Sequence, residues 1–169
     1  MNLVDVLTTE IRKQSKKHYL FEEVSKDYKK KMTEIFQKAV KDELSAASIY
    51  YLVAAKITGF EEAEIAEELQ KHAKEEYEHF TELIDYAYTH GIELEIGLNY
   101  TQDYPTKLED VIKWKQDLET EAMNDYLNAA KLAEAEGDML TVEFFRELAQ
   151  DERKHLDDLL KYTDIGQEF

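Results

Sequence analysis

One pattern of glutamate and histidine occurs twice in the sequence at the same spacing. In each half of the chain, a glutamate is followed 33 residues later by a second glutamate that begins a Glu-x-x-His motif. In an antiparallel helical hairpin, this repeat places the two glutamates at matching depth. Two hairpins related by a pseudo-twofold axis therefore bring six side chains to one centre. The six residues are Glu43, Glu76, His79, Glu119, Glu152 and His155.

Each of the four glutamates interrupts a stripe of apolar residues at helical spacing. Glu43 lies seven residues from both Phe36 and Tyr50, and therefore on the same helical face as those two residues. The other three glutamates interrupt their stripes in the same way. The stripes predict four helices, which cover residues 25–59, 61–89, 106–137 and 138–161.

Residues that commonly begin or end helices separate the four stripes. Thr106 and Glu109 form a capping-box pattern at the start of the third helix. Asp138 is a candidate N-cap for the fourth helix. Glycines at positions 59, 91 and 137 follow the ends of the first three helices, where a left-handed residue often stops a helix.

The connections between the stripes predict the topology. With one proline and five glycines in 169 residues, the composition favours long helices over sheets. A short link makes the first two helices antiparallel neighbours, whereas residues 91–105 are long enough to cross the bundle from end to end. The expected fold is an all-α four-helix bundle at residues 25–169 with one long crossover between the second and third helices. An N-terminal arm with one helix is expected at residues 1–24.

Four carboxylates in one core predict a metal site. Buried carboxylates repel one another unless they share a strong cation. The sequence contains no cysteine, so oxygen and nitrogen must be the ligand atoms. The two histidines that follow a glutamate at i+3 lie on its helical face, about one turn away.

Several neighbouring residues and motifs are interpreted as structural rather than as ligands. A single Glu-x-x-His motif carries little weight in a chain this rich in glutamate. His72 lies one turn before Glu76, and we interpret it as a histidine of the core or its rim. Tyr50 and Tyr126 are interpreted as core aromatic residues, and the acidic run at 61–68 as a solvated face.

The net charge of the chain indicates which partners it favours. A net charge of −17 disfavours nucleic-acid phosphate as a partner and favours metal cations. The first 20 residues lack the pattern of a signal peptide, and no stretch has the length and hydrophobicity of a membrane span. We therefore expect a cytoplasmic protein that contacts neither membrane nor nucleic acid.

The ligand pattern resembles that of the ferritin-like di-iron carboxylate proteins. It is most similar to the bacterioferritin ferroxidase centre, where the ligand intervals are also 33, 43 and 33 residues. This resemblance implies two irons per chain, bridged by the glutamates of the two Glu-x-x-His motifs. Each iron is then completed by one histidine and one further glutamate. The implied bridging pair is Glu76 and Glu152, and the completing pairs are Glu43 with His79 and Glu119 with His155.

The sequence departs from bacterioferritins in two respects. Bacterioferritins bind haem through a methionine directly after the glutamate of the second helix, but here that position is Tyr77, so no haem is expected by this route. They also have a fifth helix that lines a channel of the 24-subunit shell, and no such segment is seen here. The chain is therefore also similar to the dodecameric Dps-like group, although it lacks the cysteine pair typical of that group.

The expected function is a ferroxidase. It would oxidise Fe(II) with O2 or H2O2, and would store or detoxify the iron inside a hollow homo-oligomer, expected as a dodecamer or alternatively a 24-mer. A rubrerythrin-like peroxidase normally needs a cysteine-rich electron-transfer module and a further carboxylate where this chain has Ala122. A di-iron oxygenase acting on an organic substrate or modified RNA is a third hypothesis, and a metal-binding bundle without turnover is a fourth.

Overall fold

The computed structural model describes residues 24–57, 63–98, 104–105 and 107–163. Within these ranges the chain forms four helices and no strand, so the predicted all-α four-helix fold is confirmed. The predicted N-terminal arm lies outside the described residues except for Val24. The helices are α1 (Lys26–Lys56), α2 (Ala63–Thr89), α3 (Leu108–Glu136) and α4 (Met139–Thr163).

Local signals begin and end several of these helices, and those at Gly137 and Asp138 were predicted. The Ser25 hydroxyl accepts a hydrogen bond from the backbone N–H of Tyr28 and so caps α1. Asp138 accepts a bond of 3.3 Å from the backbone N–H of Thr141 at the start of α4. Gly137 ends α3 with a φ of 82°, a left-handed conformation that glycine adopts without strain.

Two helix ends differ from the prediction. The helix α3 begins at Leu108, and its N-cap is Lys107, whose side chain makes no capping bond. The predicted capping box is therefore wrong about the first residue of the helix, and Thr106 itself lies outside the described residues. The helix α1 ends three residues before Gly59, because Ile57 already has an extended backbone.

Contacts between the helices establish their directions. Phe36, early in α1, stacks on Tyr86, late in α2, so these two helices are antiparallel. The backbone N–H of Ser25 donates to Glu136 at the end of α3, so α1 and α3 are antiparallel as well. Consequently α2 and α3 run parallel, as predicted, which requires the long connection between them.

Two apolar clusters fill opposite ends of the bundle. The first contains residues from the start of α1 and the end of α2, including Phe36, Val40 and Leu83. The second contains residues from the other ends of those helices, including Val53 and Leu69. A layer of buried polar residues separates the two clusters. Within the described part of the chain, no helix is both long and apolar enough to cross a membrane.

Candidate metal centre

The six residues predicted as ligands lie together in this polar layer. Each of α1 and α3 contributes one glutamate, and each of α2 and α4 contributes a glutamate and the histidine one turn after it. Their exposed fractions are at most 5%, so all six side chains are buried. The residues are Glu43, Glu76, His79, Glu119, Glu152 and His155.

Four of these side chains form the first half of the centre. Glu43, Glu76, His79 and Glu152 each offer one ligand atom, and those atoms lie within 4.8 Å of one another. The Nδ1 atom of His79 lies 3.1 Å from Glu76 Oε2 and 3.2 Å from Glu152 Oε1. It lies 3.9 Å from Glu43 Oε2. The histidine therefore faces all three carboxylates.

The second half repeats this arrangement with the other glutamate and histidine. Glu76, Glu119, Glu152 and His155 form another group whose ligand atoms lie within 4.8 Å of one another. The Nδ1 atom of His155 lies 3.1 Å from Glu119 Oε2. It also lies 3.3 Å from both Glu76 Oε1 and Glu152 Oε2. The two halves share Glu76 and Glu152, so these carboxylates are placed to bridge two ions.

The polar atoms at the middle of the centre fit a cation. Both carboxylate oxygens of Glu76, Oε1 of Glu152 and Nδ1 of His79 are buried without a hydrogen-bond partner. Such atoms are costly in a protein interior unless they bind an ion. Carboxylate and imidazole ligands suit Fe(II), Mn(II) and Zn(II) alike.

Burial and neighbouring charges raise the pKa values of two of the four carboxyl groups and lower those of the other two. Burial, reinforced by the charges of Glu152 and Glu76, holds the pKa of Glu43 well above its usual range. Burial and the Glu76 charge raise the pKa of Glu152 to about 7. Burial also opposes ionisation of Glu76, but the close imidazole groups of His155 and His79 outweigh it and lower the Glu76 pKa. For Glu119, burial is outweighed by the charge of Lys115, and the pKa is held well below its usual range.

The two histidines of the centre retain protons when no metal is bound. Burial disfavours the charged form of His79, but the close carboxylates of Glu152 and Glu76 raise its pKa to about 11. Burial also disfavours the charged form of His155, but its contacts with carboxylates, mainly that with Glu119, raise its pKa. The charges of Glu76 and Glu119 are then offset by the two imidazolium groups and Lys115, while the raised pKa values of Glu43 and Glu152 favour their neutral forms.

Lys115 is a member of the centre that the sequence interpretation missed. It is completely buried, its ammonium donates to Glu119 Oε1, and its Nζ atom lies 4.0 Å from the centroid of the Tyr50 ring. A fully buried lysine requires a charge partner. The signal was present, because Lys115 lies four residues before Glu119 and three after Ile112 on the same helical face.

The interpretation of Tyr50 and Tyr126 as core aromatic residues alone is wrong. Their rings are buried, but the Tyr50 hydroxyl donates to Glu119 Oε1 at 2.8 Å and the Tyr126 hydroxyl donates to Glu43 Oε1. Each tyrosine lies seven residues after one predicted ligand and bonds to the other. The hydroxyl groups therefore orient the two carboxylates that are not shared between the halves of the centre.

The residues before the two Glu-x-x-His motifs contact the outer nitrogens of the histidines. Glu75 Oε2 lies 3.0 Å from His155 Nε2, and Asp151 Oδ2 lies 3.8 Å from His79 Nε2. Partners of this kind fix the orientation of a metal-binding imidazole. The sequence feature that could have indicated these contacts is the acidic residue directly before each motif. Each of these acidic residues contacts the histidine of the other motif.

A cavity of about 520 Å³ connects the centre with the surface between α1 and α3. All four glutamates of the centre line its inner end. Its walls are mainly apolar and include Ile35, Ile49 and Leu118. At its outer end, the Lys38 ammonium lies 2.7 Å from carboxylate oxygens of both Asp42 and Asp125, and so joins the two helices.

Comparison with known proteins identifies the family. The sequence profile of the ferritin-like domain matches residues 33–167. A search among curated protein sequences gives no significant match. Solved structures of several proteins have the same fold at low sequence identity.

One is the bacterioferritin-related protein from Bacteroides fragilis, described as a dodecameric thioferritin, with a TM-score of 0.77 and 20% identity over 92% of this chain and 95% of that one. Another is a ferritin-like di-iron carboxylate protein from Bacillus anthracis, with a TM-score of 0.74 and 18% identity over 82% and 98% of the two chains. A third is Rhodobacter capsulatus bacterioferritin, described with a metal-free dinuclear site and haem iron, with a TM-score of 0.74 and 20% identity over 80% and 84%. Since the profile covers most of the sequence, the chain belongs to the ferritin-like domain family.

Proposed function

We propose that this protein is a ferroxidase that oxidises Fe(II) at the buried centre. The observation that carries the proposal is the pair of overlapping four-residue groups that share Glu76 and Glu152. Both oxygens of Glu76 and one oxygen of Glu152 are buried without a hydrogen-bond partner. Two divalent cations would balance four carboxylates and satisfy those atoms.

In this proposal iron is the substrate. Glu76 and Glu152 bridge two Fe(II) ions, while Glu43 with His79 and Glu119 with His155 hold one ion each. Oxidation of both ions supplies two electrons, which with two protons reduce O2 to hydrogen peroxide, or hydrogen peroxide to two water molecules. Mixed carboxylate and imidazole ligands suit both oxidation states of iron and leave coordination positions open to the oxidant. Haem forms no part of the proposal, because Tyr77 occupies the position of the haem-binding methionine.

We expect a fast oxidation phase with an amplitude of two Fe(II) per chain. Stopped-flow absorbance after mixing the metal-free, assembled protein with Fe(II) and either O2 or H2O2 measures this amplitude and shows which oxidant reacts faster. An amplitude of one ion, or the absence of a fast phase with both oxidants, would contradict the two-ion centre. Further Fe(II) is expected to oxidise more slowly as ferric product accumulates.

Metal binding is expected to release protons and to strengthen as the pH rises. Glu43, Glu152, His79 and His155 all have raised pKa values in the metal-free centre, so these groups favour their protonated forms and must lose protons to bind ions. Calorimetry with the first two equivalents of Zn(II), in buffers with different ionisation enthalpies, counts the released protons. The Glu43→Gln variant should release fewer protons than the wild type. Equal proton counts for the two proteins would show that Glu43 is not protonated in the metal-free state.

The cavity favours one second candidate, an oxygenase that acts on a small organic substrate. Its apolar walls extend to the four glutamates, and its volume is sufficient for a small ligand. The same cavity also serves as a route for Fe(II) and the oxidant, with Asp42 and Asp125 at its mouth. Oxidation of Fe(II) in large excess over protein, without any organic reductant, favours the ferroxidase, whereas oxidation that stops after the bound ions favours the oxygenase.

We further propose that the chain assembles into a hollow homo-oligomer of twelve copies. The Bacteroides fragilis protein, whose structure matches 92% of this chain, is described as dodecameric. Native mass spectrometry is expected to find a species of about 240 kDa, twelve times the 19.9 kDa of one chain. A species of twice that mass would indicate a 24-subunit shell instead, and a dominant monomer or dimer would contradict iron storage inside a shell.

A further inference from the structure

A second cluster of potential ligands lies beside the centre, between α2 and α4. Glu68, His72 and Asp158 each offer one ligand atom, and those atoms lie within 4.8 Å of one another. The Nε2 atom of His72 lies 2.9 Å from Glu68 Oε1 and 3.9 Å from Asp158 Oδ2. Neither carboxylate contributes to the two-ion centre. Glu68 belongs to the acidic run predicted as a solvated face, yet its side chain is only 21% exposed.

His72 indicates that this cluster is more than a group of surface charges. Its side chain is completely buried, and neither ring nitrogen forms a hydrogen bond within the described part of the chain. The short distance from Nε2 to Glu68 therefore lacks the alignment of a hydrogen bond. A buried imidazole without a partner is unfavourable. An ion held between Nε2 and the two carboxylates would satisfy it.

Two lysines show that the carboxylates of this cluster already attract cations. The Lys71 ammonium lies 3.0 Å from Glu68 Oε1 and 3.3 Å from Asp158 Oδ2. The Lys161 ammonium lies 2.5 Å from Asp158 Oδ1. Both lysine side chains are about half exposed or more, at 48% and 69%, so they can turn towards solvent when another cation binds. Lys71 contacts the same two carboxylate oxygens that face His72 Nε2, so it competes directly with such a cation.

We propose that Glu68, His72 and Asp158 form a third metal site for a divalent transition-metal cation such as Fe(II). Two carboxylates and one neutral imidazole are ligands that such cations accept. The ring of His72 stacks on the ring of His155, a residue of the two-ion centre, with 4.2 Å between the centroids. The third site is therefore adjacent to the centre. An ion there would stand between solvent and the proposed ferroxidase ligands. The site itself can bind whether or not the centre oxidises iron.

Anomalous diffraction from crystals of the assembled protein soaked with Co(II) without oxygen would test this proposal. The wild-type chain is expected to show a peak between the three side chains, in addition to two peaks at the centre. Glu68→Gln and Asp158→Asn should each lower the affinity for the third ion by at least about tenfold in a matching Co(II) titration. Lys71→Met should raise that affinity, because it removes a competing positive charge.

Asp157→Asn provides the control, because Asp157 is the adjacent residue, is exposed and pairs with Arg153. This variant should bind the third ion as the wild type does. Absence of the third peak at saturating Co(II), or an unchanged third ion in both Glu68→Gln and Asp158→Asn, would overturn the proposal. Absence of the two peaks at the centre would contradict the ferroxidase proposal. The presence or absence of the third peak would still test the third metal site. His72→Leu, if it folds, should also lose the third peak.

Discussion

Replacing Glu76 by glutamine is expected to lower the rate of Fe(II) oxidation by at least about 100-fold. Both oxygens of Glu76 are buried, lack hydrogen-bond partners and face the two histidines of the centre. The amide of glutamine supplies one neutral oxygen and no charge, so it cannot bridge two cations. Glu152→Gln should have a comparable effect, because Glu152 is the other residue common to both halves. Stopped-flow absorbance under O2 and under H2O2 measures the change.

Glu78→Gln is the matched control for this experiment. Glu78 lies two residues after Glu76 in α2 but is exposed, so its replacement removes the same charge without touching the centre. Circular dichroism should give the same helix content for all three variants. A folded Glu76→Gln or Glu152→Gln protein that oxidises Fe(II) at the wild-type rate would show that the bridging assignment is wrong.

Helical periodicity explains why the fold and the grouping of the six residues could be predicted. Each of the four glutamates interrupts an apolar stripe, and the two intervals of 33 residues place them at equal depth in two hairpins. Neither argument depends on side-chain conformations. The same six side chains lie together between the two apolar clusters of the folded chain.

The features that could not be predicted depend on contacts between helices. Tyr50 and Tyr126 lie on their stripes as core residues would, but their hydroxyl groups reach a glutamate on another helix. The cavity exists because the side chains that α1 and α3 present to each other leave space. Spacing along one helix carries no information about such distances. The first residue of α3 was misplaced because a capping-box pattern does not require that the cap forms.

Lys115→Met is expected to destabilise the metal-free protein by about 3–5 kcal/mol, which is typical for breaking a buried ion pair. Glu119 would keep its charge in the interior but would lose the ammonium group that donates to its Oε1. When two divalent ions occupy the centre, their four positive charges balance the four carboxylates without Lys115. The loss of stability should therefore be much smaller in the metal-bound protein. Urea unfolding with a chelator, and again with Zn(II), measures both values.

Removal of Lys115 should also tighten metal binding by the free-energy difference between those two values, because ligand binding and folding are linked. Lys113→Met is the control, since Lys113 lies on the exposed face of the same helix and its loss should affect neither state. In the double variant with Glu119→Gln, most of the cost of losing Lys115 should disappear, because no unpaired charge remains buried. Equal destabilisation by Lys115→Met with and without Zn(II) would mean that Lys115 contributes packing alone. If the two values differ as expected, Lys115 supplies a positive charge that stabilises the metal-free centre and is no longer needed once metal ions bind.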